Sequence, residues 1–228
     1  MSASLTSLIP GVGAHYSHVA TFAIAAAGTL ALGLVARSQL GSGPSSVVPA
    51  SKFSLRAIFE MLIEFIQNLS DMVIGTHGRS YVPLFSTIFF FILINNLIGV
   101  IPGMTPATEN FNTTLSLGLI IFVYYNIMGL KENGLSYLKH FIGPILWLAP
   151  LMVIIELISH MVRPLSLGLR LANVMKGDHT VLGIFLDLVP IVLPLPFYVL
   201  GIFVCFVQAF VFTLLSMVYV SMATSHDH

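Results

Sequence analysis

Apolar residues in this chain fall into five long runs with short polar breaks, rather than into the narrow stripes of a soluble domain. The first, about 17–36, is rich in Ala and Leu and stops at Arg37. A turn-rich connector, Gly41-Ser42-Gly43-Pro44-Ser45-Ser46, follows it. Residues 83–101 form a second run, rich in Phe and Ile, with Asn95 and Asn96 near its end; after the short loop Pro102–Thr108, residues 113–130 form a third. Lys131-Glu132-Asn133-Gly134 and Lys139-His140 mark the next connector. Residues 150–189 are helix-compatible throughout apart from Pro164, yet carry Glu156, Arg163, Arg170, Lys176, Asp178 and Asp187. Forty residues of helix measure about 60 Å, twice the hydrocarbon thickness of a bilayer, so this helix is either strongly tilted or broken. Pro190 to Pro196 turns the chain, and residues 197–223 return across the membrane. Residues 52–74 read differently. Phe53, Ile58, Leu62, Phe65, Ile66 and Leu69 fall at helical spacing, with Arg56, Glu60, Glu64 and Asp71 between them. That pattern suits an amphipathic helix lying along a membrane surface, or one packed against other subunits. The predicted architecture is an all-α membrane protein with about five transmembrane helices and one surface amphipathic helix. Its last two helices form a long tilted hairpin, and residues 1–228 make one integral membrane domain.

Composition agrees with this reading. The chain is 57% hydrophobic and 8% charged, against roughly 25% charged for a soluble domain, so it lacks the charges for a water-facing exterior. No Lys, Arg, Asp or Glu occurs in residues 1–36, 80–108, 110–130 or 188–226. Zero formal charge excludes a nucleic-acid footprint, and the single Cys205 excludes an intrachain disulfide. The N-terminus has neither a basic signal region nor an Arg-rich transit pattern, which points to insertion through the first helix and to a bacterial inner membrane. Lys and Arg gather in residues 37–82 (Arg37, Lys52, Arg56, Arg79) and 131–140 (Lys131, Lys139), and the 102–112 loop has none. With five spans, this places the N-terminus outside and the C-terminus in the cytoplasm.

Arg170 is the residue most in need of explanation. An arginine deep in a spanning helix costs about 2.5–3.5 kcal/mol on insertion scales, and it cannot shed its proton. Its helical neighbours are Ser166, Leu167, Asn173 and Val174, none of them a carboxylate. Glu156 lies about 21 Å back along the axis and Asp178 about 12 Å ahead. The natural partner is a carboxylate on another chain; the plainer alternative is snorkelling to the interface or a lipid phosphate. Glu156, Arg163 and Arg170 recur every seven residues, with Ser159, Ser166 and Asn173 near the same stripe. Asp178 and His179 point to a different surface further along, so polar groups at the two ends suggest two separate wet paths around a fixed cation. The plainer readings are an ion pair of Glu156 with Arg163, and a buried neutral His179. On the last helix Gly201, Cys205, Gln208 and Phe212 share a face. Gln208 can bond a guanidinium on the neighbouring helix, and Gly201 leaves space for close packing or for a polar group opposite. There is no Gly-rich phosphate loop, metal motif or cofactor motif. The inventory fits a proton path rather than bond-making chemistry.

Residues 164–179, Pro-Leu-Ser-Leu-Gly-Leu-Arg-Leu-Ala-Asn-Val-Met-Lys-Gly-Asp-His, closely resemble the signature of subunit a of F-type ATP synthases. Residues 208–223, Gln-Ala-Phe-Val-Phe-Thr-Leu-Leu-Ser-Met-Val-Tyr-Val-Ser-Met-Ala, resemble that subunit's last helix. Asn95-Asn-Leu-Ile-Gly-Val-Ile-Pro102 and Asn112-Thr-Thr-Leu-Ser116 match its middle helices more loosely. The resemblance covers about residues 15–223 and implies roles by position. Arg170 falls on the arginine that faces the rotating c-subunit ring, and Glu156 on the acidic residue near the cytoplasmic exit. His179 falls on the ionisable position of the uptake path, and Gln208 on the glutamine that packs near the arginine. Where some members carry His or Glu this chain has Gly201, and where Gly often precedes the ionisable position it has Asp178; the two differences look compensatory. The family asparagine usually sits four residues after the arginine, whereas here Asn173 sits three after and Val174 takes the usual place. The implied function is a non-catalytic, proton-translocating stator subunit whose two half-channels flank Arg170. The implied partners are the c-ring, the peripheral stalk subunit b, other synthase subunits and membrane lipid. The choice between proton and sodium coupling rests largely with the ring. A secondary antiporter should show inverted repeats, which are absent from the sequence, and a mere scaffold should tolerate loss of Arg170.

Overall fold

A computed structural model describes residues 17–39, 55–101, 103–134, 149–188 and 194–224. The 41–46 connector, Lys52, Phe53, Pro102, Lys139, His140 and the 190–193 part of the proline turn lie outside the described residues. Six α-helices lie among the described residues: α1 Ser17–Gln39, α2 Leu55–Val73, α3 Val82–Val100, α4 Phe111–Asn133, α5 Ala149–Leu188 and α6 Pro194–Thr224. Short 3-10 turns, Thr76–Tyr81 and Ala107–Glu109, precede α3 and α4. All but α2 are long and apolar enough to cross a membrane. α6 begins at Pro194, three residues before the sequence predicts. Prolines are tolerated there because the first helical turn has no intrahelical acceptors for its N–H groups. α4 runs on past Leu130 through Lys131 and Glu132 to Asn133, and ends at Gly134, whose φ of 53° suits glycine. Its start is capped by the Asn110 side chain, which accepts from the Asn112 N–H at 3.0 Å.

The 40-residue α5 is unbroken through Pro164, which leaves strong inclination as the way a helix of this length sits in a bilayer. α4 braces it on one side. A Cβ on Gly118 would lie 2.6 Å from the Pro164 carbonyl oxygen, and one on Gly168 would lie 3.0 Å from the Leu115 Cα. The two helices therefore cross almost backbone to backbone, as small residues permit.

The interior is filled mainly from α3, α4, α5 and α6, with Phe85, Phe89, Ile92, Tyr125, Leu171 and Phe212 essentially without exposure. α1 leans on α3 through Phe22 and Phe91, whose ring centres are 5.0 Å apart. α2 meets α3 through Phe59 and Phe90, and α6 through Phe65 and Phe210. Large apolar side chains are also exposed all over the outside, Leu30 at 70% and Val199 at 66% among them. Such a surface is stable only where the surrounding medium is itself apolar.

Alternating helix directions define two ends. At one, the Tyr81 hydroxyl donates to Glu132, Asn133 donates to the Ala223 carbonyl at 2.9 Å, and Ser221 donates to the Val73 carbonyl at 2.9 Å. This end also holds Arg79, Lys131 and the start of α5. At the opposite end lie the close of α3, the Ala107–Glu109 turn, the close of α5 and the start of α6.

Candidate functional site

α5 buries Leu167, Gly168, Leu171, Ala172 and Met175 against its neighbours, and the helical repeat then turns Arg170 outward. Arg170 is exposed on this chain and has no ion-pair or hydrogen-bond partner among the described residues. Around it the surface is apolar, with Val162, Leu165, Leu169 and Val174 exposed. Asn173 is exposed beside it and Ser166 half-buried. Gln208 is buried on α6, 5% exposed, with no bond to the guanidinium. Within this chain Arg170 is a permanent cation facing what the bilayer or another protein supplies.

The start of α5 carries one polar cluster. Glu156 and Arg163 pair at 3.4 Å, and the Arg163 guanidinium lies 5.8 Å from the centre of the Tyr219 ring on α6. This is the plainer reading of Glu156 realised, although its side chain keeps 32% exposure and stays accessible. His160 sits behind it, 5% exposed, with Nε2 2.9 Å from the Asn126 Oδ1 and the Phe122 and Tyr125 rings edge-on.

The other cluster lies at the close of α5. His179 Nδ1 is 3.3 Å from Glu109 Oε2, within ion-pair distance though outside hydrogen-bond alignment. Asp178 faces α6, where a Cβ on Gly201 would stand 3.1 Å from its Oδ2. The space vacated by Gly201 is thus occupied by the Asp178 carboxylate. A cavity of about 10 Å³, lined in part by Asn96, Asp178, His179, Tyr198 and Gly201, lies between them, roughly enough for one water. Among the described residues no three His, Cys, Asp or Glu side chains converge as metal ligands.

Glu109 is the member of this cluster that motif matching passes over. Its signal in the sequence is isolation: it is the one charged residue between 80 and 130. Its turn is fastened from α3. Asn95 Oδ1 accepts from the Ala107 N–H at 3.0 Å, and Asn96 Oδ1 accepts from the Thr108 hydroxyl at 2.7 Å. Asn96 also donates to the Cys205 carbonyl at 3.4 Å, tying α6 to the same point. Both asparagines have no exposure, so these bonds are made out of reach of solvent. Asn96→Ala is expected to strand the buried Thr108 hydroxyl at a cost of about 1–3 kcal/mol. Heat denaturation of the purified protein checks this, and an unchanged midpoint contradicts it.

Arg170 therefore stands between two polar clusters at opposite ends of the bundle, with Glu156, Arg163 and His160 on one side and Glu109, Asp178 and His179 on the other. Residues 5–221 match the sequence profile of the ATP synthase A chain family. The chain is similar over its whole length, and that of the relative, to ATP synthase subunit a of Bdellovibrio bacteriovorus, at 64% identity. ATP synthase subunit a 1 of Pelobacter propionicus is 41% identical over 94% of this chain and 92% of its own. ATP synthase subunit a of Trichlorobacter lovleyi is 44% identical over 87% and 83%. With a family match over nearly all of its residues and a relative this similar from end to end, the chain belongs to the ATP synthase subunit a family.

Proposed function

We propose that this chain is the proton-translocating stator subunit of a rotary F-type ATP synthase, working against a ring of c subunits and held by the peripheral stalk subunit b. The observation that carries this reading is Arg170, outward-facing and without a partner among the described residues, on a 40-residue helix with a polar cluster toward each end. Such a cation needs an anion, and the described residues offer none in reach; a carboxylate on a passing ring subunit supplies one. By the charge distribution of the loops, the His179 end faces outside and the Glu156 end the cytoplasm, with the N-terminus outside.

Protons enter along Asp178 and His179 and neutralise a ring carboxylate, which then tolerates the lipid on its way round. After nearly a full turn that carboxylate meets the path near Glu156 and releases its proton. Arg170 favours the ionised carboxylate between the two paths and, holding its own proton permanently, blocks a direct leak. Arg163 positions Glu156, Gln208 and Ser166 pack the region beside the arginine, and Asn173 extends the polar stripe toward the uptake side. Nucleotide chemistry belongs to other subunits of the complex.

The test is ATP-driven proton pumping by membrane vesicles carrying Arg170→Ala, with assembly followed by co-purification of the ring. Lost pumping in an assembled complex supports the reading, and surviving pumping overturns it in favour of a scaffold. Gly201→Val offers a check at the other cluster. The new side chain takes the place of the Asp178 carboxylate, so pumping is expected to fall severalfold with the ring still bound, whereas unchanged pumping would remove Asp178 from the path.

A further inference from the structure

Away from both polar clusters, α1, α2 and α3 enclose a cleft that the proton path does not use. We infer that this cleft binds one tail of a glycerophospholipid, whose ester carbonyl accepts a hydrogen bond from Ser86. The site stands apart from proton transport and does not depend on it.

Its shape is the first support. The cleft has a volume of about 620 Å³, within the roughly 300–1,000 Å³ of ligand cavities. It runs from Ala26 to Leu34 along α1 and from Ser86 to Ile94 along α3, and Phe59 and Ile63 of α2 close one side. Eight helical residues cover about 12 Å, close to the roughly 15 Å of hydrocarbon in one leaflet. Ser86 marks the shallow end, because α3 starts at Val82, directly after Arg79 and Tyr81. On α2 the residue after Phe59 is Glu60, which pairs with Arg56 and keeps that helix at the polar boundary.

The second support is one hydroxyl. Three of them border the otherwise apolar cleft. Thr29 donates to the Ala25 carbonyl at 2.6 Å and Thr87 to the Pro83 carbonyl at 2.7 Å, each four residues back. Ser86 breaks the habit. It is 9% exposed, and its Oγ is buried with no hydrogen-bond partner among the described residues. A buried donor left in this way marks a place for an acceptor. It stands about 6 Å inside the start of α3, where the ester groups of a leaflet give way to tails. Water does not fill such a space, since a cavity with apolar walls stays dry. A helix about 10 Å across and 12 Å long displaces roughly 900 Å³, more than the cleft holds. A single acyl chain is far thinner, follows an irregular wall and brings no unbonded polar group below its ester. Close packing and the one hydrogen bond hold it, because the bilayer outside is as apolar as the cleft.

The experiment places the complete synthase in vesicles of phosphatidylethanolamine and phosphatidylglycerol, with a phosphatidylglycerol that carries a photoreactive diazirine in its tail. The probe is diluted out with unlabelled vesicles, samples are illuminated at intervals, and peptide mass spectrometry locates the adducts. Adducts at Phe90 and Ile94 in the cleft are expected to outlast those at Val123, 53% exposed on α4, at least about tenfold. Ser86→Ala is expected to hasten loss from the cleft about fivefold, the worth of one hydrogen bond. Gly33→Phe fills the cleft from the α1 wall, where nothing stands within 4 Å of a Cβ. It is expected to abolish the cleft adducts and spare those at Val123. Loss at equal rates from the cleft and from Val123 would reduce the contact to bulk bilayer and overturn the site, as would undiminished cleft adducts in Gly33→Phe. If that variant fails to assemble, unchanged retention in Ser86→Ala overturns it instead. Absence of cleft adducts from the intact complex would mean that a helix of another subunit fills the space, and overturns it too.

Discussion

Arg170→Ala is expected to lower ATP-driven proton pumping at least about a hundredfold, with the subunit still in the membrane and the ring still bound. Arg170 braces nothing among the described residues. It is exposed, it has no partner among the described residues, and the helix around it is seated by Leu167, Leu171 and Met175 instead. Truncating it therefore leaves the fold alone and acts on the passing carboxylate. Stranding one member of a desolvated ion pair costs about 3–5 kcal/mol, and each 1.4 kcal/mol on the barrier is about a factor of ten. Arg170→Lys is expected to recover only part of the rate, since an ammonium lacks the rigid two-pronged geometry and releases its proton when desolvated. Vesicle acidification, read beside ring co-purification, checks both variants. A robust acidification by assembled Arg170→Ala would make the arginine a lipid-facing cation.

The largest structural effect is expected at Gly118. Its missing side chain lets α4 reach the Pro164 carbonyl on α5, and a Cβ there would lie 2.6 Å from that oxygen. Backbone cannot yield as a flexible side-chain end does, so Gly118→Val has to part the two helices. Overpacking of this kind costs about 1–3 kcal/mol, sometimes more, and it falls on the crossing that aims the Arg170 face. Less subunit in the membrane and a lower heat-aggregation midpoint are expected. Gly33→Val on α1 is the matched control, since nothing stands within 4 Å of a Cβ there. Equal heat resistance in the two variants would mean that α4 and α5 do not cross this closely.

Much of the architecture is legible from the residues. Lipid makes it so, because every buried backbone group must be bonded within its own helix, and each crossing then needs an uninterrupted apolar run. The five spanning helices and α2 emerge within a few residues of their predicted limits. Differences fall at ends, as with Pro194 and Asn133, where capping and prolines decide the last turn. Arg170 is legible for the same reason, since a charge inside such a run stands out against a cost that few residues incur.

Tertiary packing decided what the spacing along a single helix leaves open. Periodicity put Asp178 and His179 on a different surface from Arg170, but not which neighbour either would meet. The Asn95 and Asn96 bonds to the turn before α4 bring Glu109 to His179, seventy positions away in sequence. Pro164 reads in sequence as a possible break, and the helix continues through it, with Gly118 admitting α4 up to its carbonyl. The sequence by itself determined the helices and the exceptional charge, because solvent transfer costs act residue by residue. Only the tertiary structure decided which polar groups touch, because contact depends on how close two backbones can come and on which face each helix turns toward the other.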